Sequence, residues 1–316
     1  MSKKPAPTIT IGIDVAKDSC DACFLDGSER INHQGHYPEE KYKALAKKIE
    51  KAQPRIVILE ATGGYERAIA GLLVAADIPF RIVSPSRARQ FANSIGLLGK
   101  NDAIDARMLA LYALRNNIEP AAAPDEKTQE LRALLDRRRQ LVDTRTAEKN
   151  RRLRANHKAA AKSIEKVIAL LDAEIVAIDR LLDEMVKDDD EFRHKEDILT
   201  SVPGVGKQTA RTLLGSMPEL GQVNRAQAAA LAGLAPFARD SGKQHGKRII
   251  RAGRFYVRRA LYMAAVSAIQ FNPRFKEMYK RLVALGKAKK LALTACMRKL
   301  LLLLNALLKK DELFNP

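Results

Sequence analysis

The chain has 316 residues, which is enough for two or three domains with a hydrophobic core in each. Its 56 lysine and arginine residues against 37 acidic ones give a formal net charge of +19. Such an excess favours a polyanionic partner, because lysine and arginine neutralise phosphates and release counterions. Ribosome-associated and membrane-surface proteins share this balance, so the charge alone identifies no reaction.

Cysteine content and the two ends of the chain exclude several other classes of protein. Only three cysteines occur, and Cys20 and Cys23 lack the second cysteine or histidine pair that a zinc site requires, so we expect packing thiols in a reducing compartment. The first residues, MSKKPAPTIT, lack the apolar core of a signal peptide. The apolar tail 291–308 is interrupted by Arg298 and Lys299, which predicts a packed helix rather than a membrane span. The sequence thus predicts a soluble, cytoplasmic protein with no membrane partner.

The first third of the chain alternates short apolar runs with amphipathic ones. Strands are predicted at 8–14, 18–25, 29–37, 55–61 and 80–84, and helices at 39–52, at 65–76, from Pro85 onward and at 101–115. Three strands followed by alternating helices and strands is the element order of an RNase H-like domain. Alternation of strands with helices independently indicates an α/β core. We therefore predict an α/β, RNase H-like domain over residues 1–118.

A linker rich in proline and alanine, residues 119–124, separates this domain from about seventy mostly helical residues. Apolar residues there recur at alternating spacings of four and three, as in a coiled-coil seam: Ile164, Ile168, Leu171, Ile175, Ile178, Leu182 and Met185. Ten basic and two acidic residues lie between positions 137 and 162. Such a run is usually a solvated helix face, and its density equally favours a helix that faces nucleic acid. The predicted organisation is a helical coiled-coil region at 119–195 and a mainly α-helical domain at 196–316.

Four acidic residues stand where a cation site is expected. Asp14 and Glu60 each end an apolar run, TITIGID and RIVILE, and Asp102 and Asp105 are three apart on a predicted helix, so they project on one face. Like charges brought together repel one another, so this tetrad makes sense mainly with cations bound. Two magnesium ions about 4 Å apart would activate a nucleophile and stabilise the leaving oxygen of a phosphodiester displacement. Taken singly, each acid is better explained as a surface or capping residue, and Asp18 is an alternative to Asp14.

The surroundings of the acids add candidate contacts with nucleic acid. The apolar side of the predicted helix, turned away from the two aspartates, consists of Ile104, Met108 and Leu111. The glycine pair 63–64, after the second strand-end acid, gives an open loop where backbone can approach a ligand. Lys100 and Arg107 flank the paired aspartates and could contact a scissile strand, or equally balance the acids as surface ion pairs.

The segment VPGVGKQTA, residues 202–210, is predicted to connect two helices. An apolar-Pro-Gly-x-Gly turn of this kind is typical of a helix-hairpin-helix motif. The backbone at Gly204 and Gly206, together with a helix N-terminus at Lys207, can hold a phosphate without reading base sequence. As a plain turn, the same segment would need no ligand.

A third segment, DSGKQHGKRIIRAGR at 240–254, opens a stretch that has no acidic residue between positions 241 and 276. Ser241 is followed by glycine in this basic loop, so it could be positioned and activated to attack phosphorus and form a covalent phosphoserine. Ser-Gly pairs are also common in plain loops, and His245 is better explained as a phosphate contact or loop residue than as a base. The candidate nucleic-acid-binding residues here are Lys243, Lys247, Arg248, Arg251, Arg254 and Arg258. The last three share helical spacing and could line one helix face, unless the helix starts only at Gly253.

Six motifs of the sequence occur together in one family. They are IGIDVAK around Asp14, LEATGGY around Glu60, KNDAIDARML around Asp102 and Asp105, and then SVPGVG, LAGLAPF and GRFYVRRALYM. In these motifs the chain closely resembles the DEDD transposases of the insertion-sequence 110/1111 family. The resemblance spans nearly the whole chain and is weakest in its helical middle.

The resemblance implies a RuvC-like domain of RNase H fold, a coiled-coil region and a C-terminal transposase domain. It assigns magnesium binding, with two metals, to Asp14, Glu60, Asp102 and Asp105, and the nucleophile to Ser241. It further implies recombination guided by a noncoding bridge or seeker RNA, which pairs with donor and target double-stranded DNA. Protomers would form homodimers and tetramers, with the acidic domain of one protomer and the serine domain of another in each active site, and with the coiled coil serving assembly. A prokaryotic, nucleoid-associated location accompanies this function.

We therefore interpret the sequence as an RNA-guided, magnesium-dependent DNA recombinase that cuts and rejoins donor and target DNA through a phosphoserine. The basic middle helices and residues 243–259 would hold RNA and DNA backbones. Two alternatives stay open. One is a RuvC-like, metal-dependent, structure-specific endonuclease in which water replaces the serine, and the other is a noncatalytic protein that binds RNA or DNA.

Overall fold

A computed structural model describes residues 9–97, 99, 101–120, 126–237, 246 and 248–315 of the protein. The chain forms two compact units, Met1–Ala123 and Pro124–Pro316. All four acids of the predicted tetrad belong to the first unit.

The first unit is built on a five-stranded mixed sheet of order β3-β2-β1-β4-β5. The strands are β1 (Thr10–Val15), β2 (Ser19–Leu25), β3 (Ile31–Pro38), β4 (Ile56–Glu60) and β5 (Phe80–Val83), each within two residues of its predicted ends. The first three strands are antiparallel, and β1, β4 and β5 are parallel. An antiparallel meander extended by parallel strands is the topology of an RNase H-like domain, so the predicted fold class is confirmed.

Helices cover both faces of this sheet. After a short 3-10 turn, Glu39–Lys41, they are α1 (Tyr42–Ala52), α2 (Glu66–Ala75), α3 (Pro85–Ser94) and α4 (Asp102–Arg115). Side chains alternate along β1, so Ile11 and Ile13 point into the core formed with α1 and α2. Thr10, Gly12 and Asp14 point to the opposite face, which α4 covers. Both faces of the sheet are therefore packed against helices, and Asp14 lies on the face covered by α4.

The two neighbouring cysteines lie on opposite faces of β2, because an odd spacing on a strand reverses the side chain. Both are buried free thiols. Burial raises the pKa of Cys20 to about 12 and that of Cys23 to about 11, so both stay protonated at neutral pH. The prediction of packing thiols is confirmed.

The second unit is mainly helical. Its helices are α5 (Glu126–Arg154), α6 (Lys158–Lys187), α7 (Asp190–Thr200), α8 (Lys207–Ser216), α9 (Arg225–Leu231), α10 (Phe255–Phe271), α11 (Pro273–Ala284) and α12 (Lys289–Lys310), with a small hairpin of β6 (Pro236–Phe237) and β7 (Ile249–Ile250). Leu131 and Leu135 of α5 and Leu182 of α6 join the same buried core as residues of α7, α8, α10 and α12. The helical middle of the chain therefore shares its core with the C-terminal region.

The apolar seam predicted on α6 packs against α5 of the same chain. Leu171 and Ile175 are buried against Leu141, and both helices run antiparallel. Three ion pairs, each seven residues from the next along both helices, fix this register with N···O distances of 2.5–2.6 Å: Arg138–Asp179, Arg145–Asp172 and Arg152–Glu165. The seam that predicted a coiled coil is thus occupied by an intrachain helix pair.

The basic run of α5 carries less free charge than its composition indicates. Besides these three interhelical pairs, Arg139 binds Asp136 and Arg151 binds Glu148 within α5. Five of the ten basic residues between positions 137 and 162 are therefore ion-paired inside the chain. Part of the run is a solvated and internally balanced helix face, as the simpler interpretation predicts.

Helix α12 is long and apolar enough by composition to cross a membrane, but half of its most apolar window is buried inside the protein. Leu300, Leu301 and Leu304 are buried in the core of the second unit. The prediction of a packed helix over the apolar tail is confirmed.

Candidate active site

Asp14 is the second-last residue of β1 and lies on the face of the sheet that α4 covers. The helix approaches closely because position 12 is glycine: a Cβ there would stand 2.1 Å from the carbonyl oxygen of Ala106. Two residues earlier, the Thr10 hydroxyl donates to the carbonyl oxygen of Ala110 at 3.1 Å. Two residues along a strand span about 6.8 Å and four along a helix about 6 Å, so every second residue of β1 meets every fourth residue of α4. The next step along both elements places the first turn of α4 beside Asp14.

Asp102 and Asp105 occupy that first turn. Asn101 is the N-cap, and its side-chain oxygen accepts a backbone N–H of the turn at 2.7 Å, which fixes where the helix begins. Gln34 of β3 donates to the carbonyl oxygen of Ala103 at 2.7 Å and ties the turn to the sheet. The positive end of the helix dipole favours carboxylates at these positions.

The predicted division of α4 into an acidic side and an apolar side is incomplete. Met108 and Leu111 are buried as expected, and Ile104 is half-buried. However, Ala106 and Leu109, which continue the face of the two aspartates, are also fully buried. The acids therefore stand at the exposed end of a packed face, because the glycine on β1 lets the helix sit directly on the sheet.

Glu60 reaches the same edge through the parallel pairing of β1 and β4. Ile13 lies opposite Leu59, so the residues that follow them, Asp14 and Glu60, end neighbouring strands. Paired strands lie about 4.8 Å apart, and both side chains point to the α4 face. Sheet register and the close approach of α4 together bring the four predicted acids to one place.

The negative charges of these acids act on one another. Burial, followed by the negative charges of Asp105, Glu60, Asp102 and Asp21, raises the pKa of Asp14 from 3.8 to about 6. Within the described residues, no group of three or more histidine, cysteine or acidic side chains is already in metal-binding geometry. The carboxylates thus converge and repel, but do not form a preset cage. A donor set consisting only of carboxylate oxygens fits a hard divalent cation.

Sequence reasoning missed Asp21 and its partner His36. Asp21 lies directly opposite Asp14 across β1 and β2, and His36 lies directly opposite Asp21 across β2 and β3. Asp21 is 9% exposed, and its Oδ2 accepts a hydrogen bond from His36 Nδ1 at 2.8 Å. The row His36, Asp21, Asp14 and Glu60 therefore crosses four strands at one level. The available signal was the one charged residue in the strand SCDACFL.

The glycine loop after β4 is fixed by hydrogen bonds to Glu66 and is accessible to solvent at Gly63. Gly63 and Gly64 have φ angles of 80° and 120°, a region that glycine enters without strain. Glu66 Oε2 accepts the N–H groups of Thr62 and Gly64 at 3.1 and 2.8 Å. Burial alone would raise the pKa of Glu66, but hydrogen bonds from the backbone and from Thr62 outweigh it and lower this pKa. Nothing lies within 4 Å of a Cβ at position 63, so a ligand can approach the backbone there.

Three further predicted positions of the first unit differ in their surroundings. Asp18 is exposed in the turn between β1 and β2 and is absent from the charges that act on Asp14. Arg107 is exposed on α4, and its charge acts on Cys23 and Glu29. Lys100 lies outside the described residues.

In the second unit, Ser241, Lys243 and Lys247 also lie outside the described residues. The predicted turn at 202–206 does join two helices, α7 and α8. Gly204 has φ 103°, and a Cβ there would stand 2.5 Å from the Cα of Ala268, so this glycine packs against α10. Gly206 is the N-cap of α8 and faces open space, followed by exposed Lys207.

Arg251, Arg254 and Arg258 do not line one helical face, because the helix begins after Gly253, which is the alternative that the sequence left open. Ala252 and Gly253 have φ angles of 58° and 72°, and α10 begins only at position 255. Arg251 therefore precedes the helix, as does exposed Arg248 on the small hairpin.

Two of these arginines already have internal partners. Arg254 binds both carboxylate oxygens of Glu219 at 2.6 Å and the carbonyl oxygen of Ser216 at 2.9 Å. Arg258 donates to the carbonyl oxygen of Ala252 at 2.7 Å. Among the predicted phosphate contacts that the structure describes in this stretch, Arg248 and Arg251 are the more exposed.

Known transposase families match both units. The DEDD transposase family of IS110 type matches residues 11–155, which include all four acids, and the IS116/IS110/IS902 transposase family matches residues 196–280. The chain belongs to the IS110 family of DEDD transposases. It is accordingly a DNA-recombining enzyme, as the sequence predicted, and the family implies a divalent metal ion.

Full-length relatives support this assignment. The pilin gene-inverting protein of Moraxella bovis is 30% identical over 96% of this chain and 97% of its own length. The transposase of insertion sequence IS1111A from Coxiella burnetii is 27% identical over 74% of this chain and 70% of its own. A solved RuvC from T. thermophilus in complex with a Holliday junction is 15% identical and aligns over 36% of this chain and 99% of its own, with a TM-score of 0.29.

Proposed function

We propose that this IS110-family transposase cuts and rejoins donor and target DNA with divalent metal ions held by Asp14, Glu60, Asp102 and Asp105. The observation that carries the proposal is the mutual repulsion of these carboxylates at one edge of the RNase H-like sheet. A cluster of like charges raises the free energy of the metal-free protein, and a bound cation removes that repulsion. Such a site is expected where a phosphodiester is the substrate.

Magnesium is the cation that best suits these oxygen donors. When bound, two such ions would polarise the scissile phosphate and stabilise the attacking and leaving oxygens. The carboxylates of the chain would orient the ions, and the open backbone around Gly63 would leave room for the phosphate next to them.

Ser241 would be the nucleophile. Its Oγ would attack the scissile phosphorus, so that a serine–phosphate bond forms while a strand P–O bond breaks and leaves a free hydroxyl. The reverse attack by a hydroxyl of the exchanged strand would release the serine and rejoin DNA without ATP. The support is the resemblance of the SGK-containing segment to the family and the acid-free stretch around it.

A noncoding bridge or seeker RNA would supply target choice by pairing with donor and target double-stranded DNA. The exposed Arg248, Arg251 and Lys207, together with Gly206, are the described residues best placed to contact phosphate backbones. The turn at 202–206 would serve as a helix-hairpin-helix contact. Homodimers that assemble into tetramers would combine the acidic and serine domains of different protomers, in a cytoplasmic, nucleoid-associated enzyme.

A covalent-adduct assay tests this function. Protein, its RNA and nicked DNA are incubated with magnesium, and DNA-linked protein is sought after denaturation. We expect adducts with the wild type, none with Ser241→Ala, and RNA binding without cleavage for Asp102→Asn. Unchanged recombination in Asp102→Asn would refute the metal role.

One observation favours a second candidate, a metal-dependent endonuclease of RuvC type. All four acids come from the first unit, so water could serve as nucleophile without Ser241. In that case Ser241→Ala would still cleave, and no wild-type adduct would form.

A further inference from the structure

A cavity of about 360 Å³ lies in the second unit, between α5, α8 and α10. Leu135, Val142 and Met263 supply apolar walls. Pockets for small ligands begin at about 300 Å³, so this one has room for a single flat ring system but not for a helix or a duplex. None of the roles proposed above uses it.

One wall of the cavity is a stacked pair. The guanidinium carbon of Arg139 lies 3.6 Å from the centre of the Tyr256 ring, and Arg139 is held from the side by an ion pair with Asp136. Tyrosine rings and planar guanidinium groups are the side chains on which unpaired bases stack. Tyr256 as a residue is 42% exposed, so the pair can be reached from solvent.

The charged side chains that line the cavity are three arginines and two aspartates, and all five are ion-paired, Arg138 with Asp179 of α6. This pairing favours a neutral ring over a free ion as the ligand. Asp136 and Asp143 both line it, and each is paired with an arginine, Asp143 with Arg259 at 3.1 Å. The two carboxylates can accept hydrogen bonds from the exocyclic amines of bases. Arg259 is 53% exposed at the side chain and can meet the phosphate that such a base carries outside.

Polar groups of α8 complete the rim. Gln208 and Thr209, in the first turn of α8, line the cavity, and their amide and hydroxyl groups can pair with the edge of a base. This turn directly follows Gly206 and Lys207, the proposed phosphate contacts, so a strand held there would carry its neighbouring base towards the cavity.

We propose that this Tyr256 cavity binds one unstacked nucleobase of a single-stranded segment. The proposal rests on the function above, because strand exchange exposes unpaired nucleotides. The base would stack on the Tyr256–Arg139 pair, with its edge towards Gln208 and the two aspartates. A DNA strand and a guide RNA both present this chemistry.

Fluorescence of 2-aminopurine, which falls when the base stacks, tests the cavity in the full chain with EDTA present. Single-stranded DNA and RNA oligonucleotides carry one central 2-aminopurine, and a fully paired duplex is the third arm. We expect quenching with single strands and none that depends on Tyr256 with the duplex. The strand type with the stronger Tyr256-dependent quenching identifies the source of the base.

Two tyrosines of α10 make a matched pair of variants. Tyr262 is also 42% exposed but does not line the cavity. Tyr256→Ala should lose the quenching and weaken single-strand binding about fivefold or more, because stacking contributes about 1–3 kcal/mol per base. Tyr256→Phe, which keeps the ring, and Tyr262→Ala should stay near the wild type.

Equal quenching in Tyr256→Ala and Tyr262→Ala overturns the proposal. A Tyr256→Ala variant with unchanged quenching but a different mass in sedimentation also overturns it, because that result would assign the cavity to a protein interface. Recombination is measured on the same preparations. Loss of quenching in Tyr256→Ala alongside a wild type that does not recombine would leave the cavity in place and reject the proposed function. Normal recombination in Tyr256→Ala with unchanged quenching would reject the cavity as a base-binding site and leave the proposed function in place.

Discussion

Gly12 of β1 and Ala106 of α4 lie so close that a single added Cβ would stand 2.1 Å from the Ala106 carbonyl oxygen. This contact sets the height of α4 above the sheet and therefore the position of its first turn. The pairing of Asp14 with the helix acids depends on it, although neither Gly12 nor Ala106 carries a functional group.

Gly12→Ala should consequently destabilise the first unit and disable its site. Because the clash is with backbone, α4 must move, and we expect a loss of about 1–3 kcal/mol in the free energy of unfolding. Urea unfolding and magnesium-dependent cleavage check both effects. Gly71 in α2 is the control: nothing lies within 4 Å of a Cβ there, so Gly71→Ala should leave cleavage unchanged and add up to about 1 kcal/mol of stability.

Much of this site could be predicted from the sequence because it depends on local patterns. Asp14 and Glu60 close apolar runs on two strands, and Asp102 and Asp105 share a helix turn, so local patterns identify all four candidates before the register and the approach of α4 are known. Asp21 could not be found in this way. Its place beside Asp14 follows from the register of β1 and β2, and the sequence of β2 does not predict that register.

Long-range pairing also decided the second unit. The seam on α6 predicts a helical partner, and tertiary contacts such as the ion pairs Arg138–Asp179 and Arg152–Glu165 show that the partner is α5 of the same chain. Likewise, charge spacing placed Arg251 and Arg254 on one helix, whereas the positive φ of Gly253 delays the helix until after them. Composition gives the number of charges, and tertiary contacts decide which of them remain available.

Asp14→Asn should stabilise the metal-free protein at neutral pH. The pKa of Asp14 is about 6 in the folded state against 3.8 ordinarily, so the folded protein holds this proton more tightly. The free energy of unfolding therefore falls as pH rises from about 4 to about 6, and the deficit persists above that range. Allowing for solvent screening at this partly exposed group, the variant should gain about 1–2 kcal/mol at pH 7.5.

The measurement is urea unfolding in EDTA and in magnesium. Magnesium should raise the stability of the wild type by binding only the folded state, and should do so much less for Asp14→Asn. Below pH 4 the two proteins should converge, since Asp14 is then protonated in both states. A variant less stable than the wild type at pH 7.5 without metal would contradict repulsion among the four carboxylates.

Asp21→Asn should weaken metal use without removing a member of the tetrad. Its carboxylate faces Asp14 across the strand pair and adds to the local negative charge. A neighbouring unit charge about 5 Å away contributes about 1 kcal/mol in a solvated site, so the magnesium concentration for half-maximal cleavage should rise about fivefold. The maximal rate at saturating magnesium should change far less.

The control is Asp18→Asn, an equal loss of charge in the exposed turn between the same strands. It should leave the magnesium requirement unchanged. His36→Gln keeps a hydrogen-bond donor near Asp21 and should resemble the wild type. Equal shifts in Asp21→Asn and Asp18→Asn would show that general charge, rather than the row on the sheet, sets metal affinity.

Lys207→Gln should stabilise the protein while weakening its hold on DNA. Lys207 is the first residue of α8, where the positive end of the helix dipole disfavours a cation, and the first turn of α8 carries no acid to balance it. Removing the charge should raise the free energy of unfolding by about 0.3–1 kcal/mol. If Lys207 neutralises a phosphate, the slope of log affinity against log salt should fall by about 1. Lys280→Gln, an equal change at an exposed position of α11, should alter neither quantity, and a salt slope that stays constant in Lys207→Gln would exclude this residue from the DNA contact.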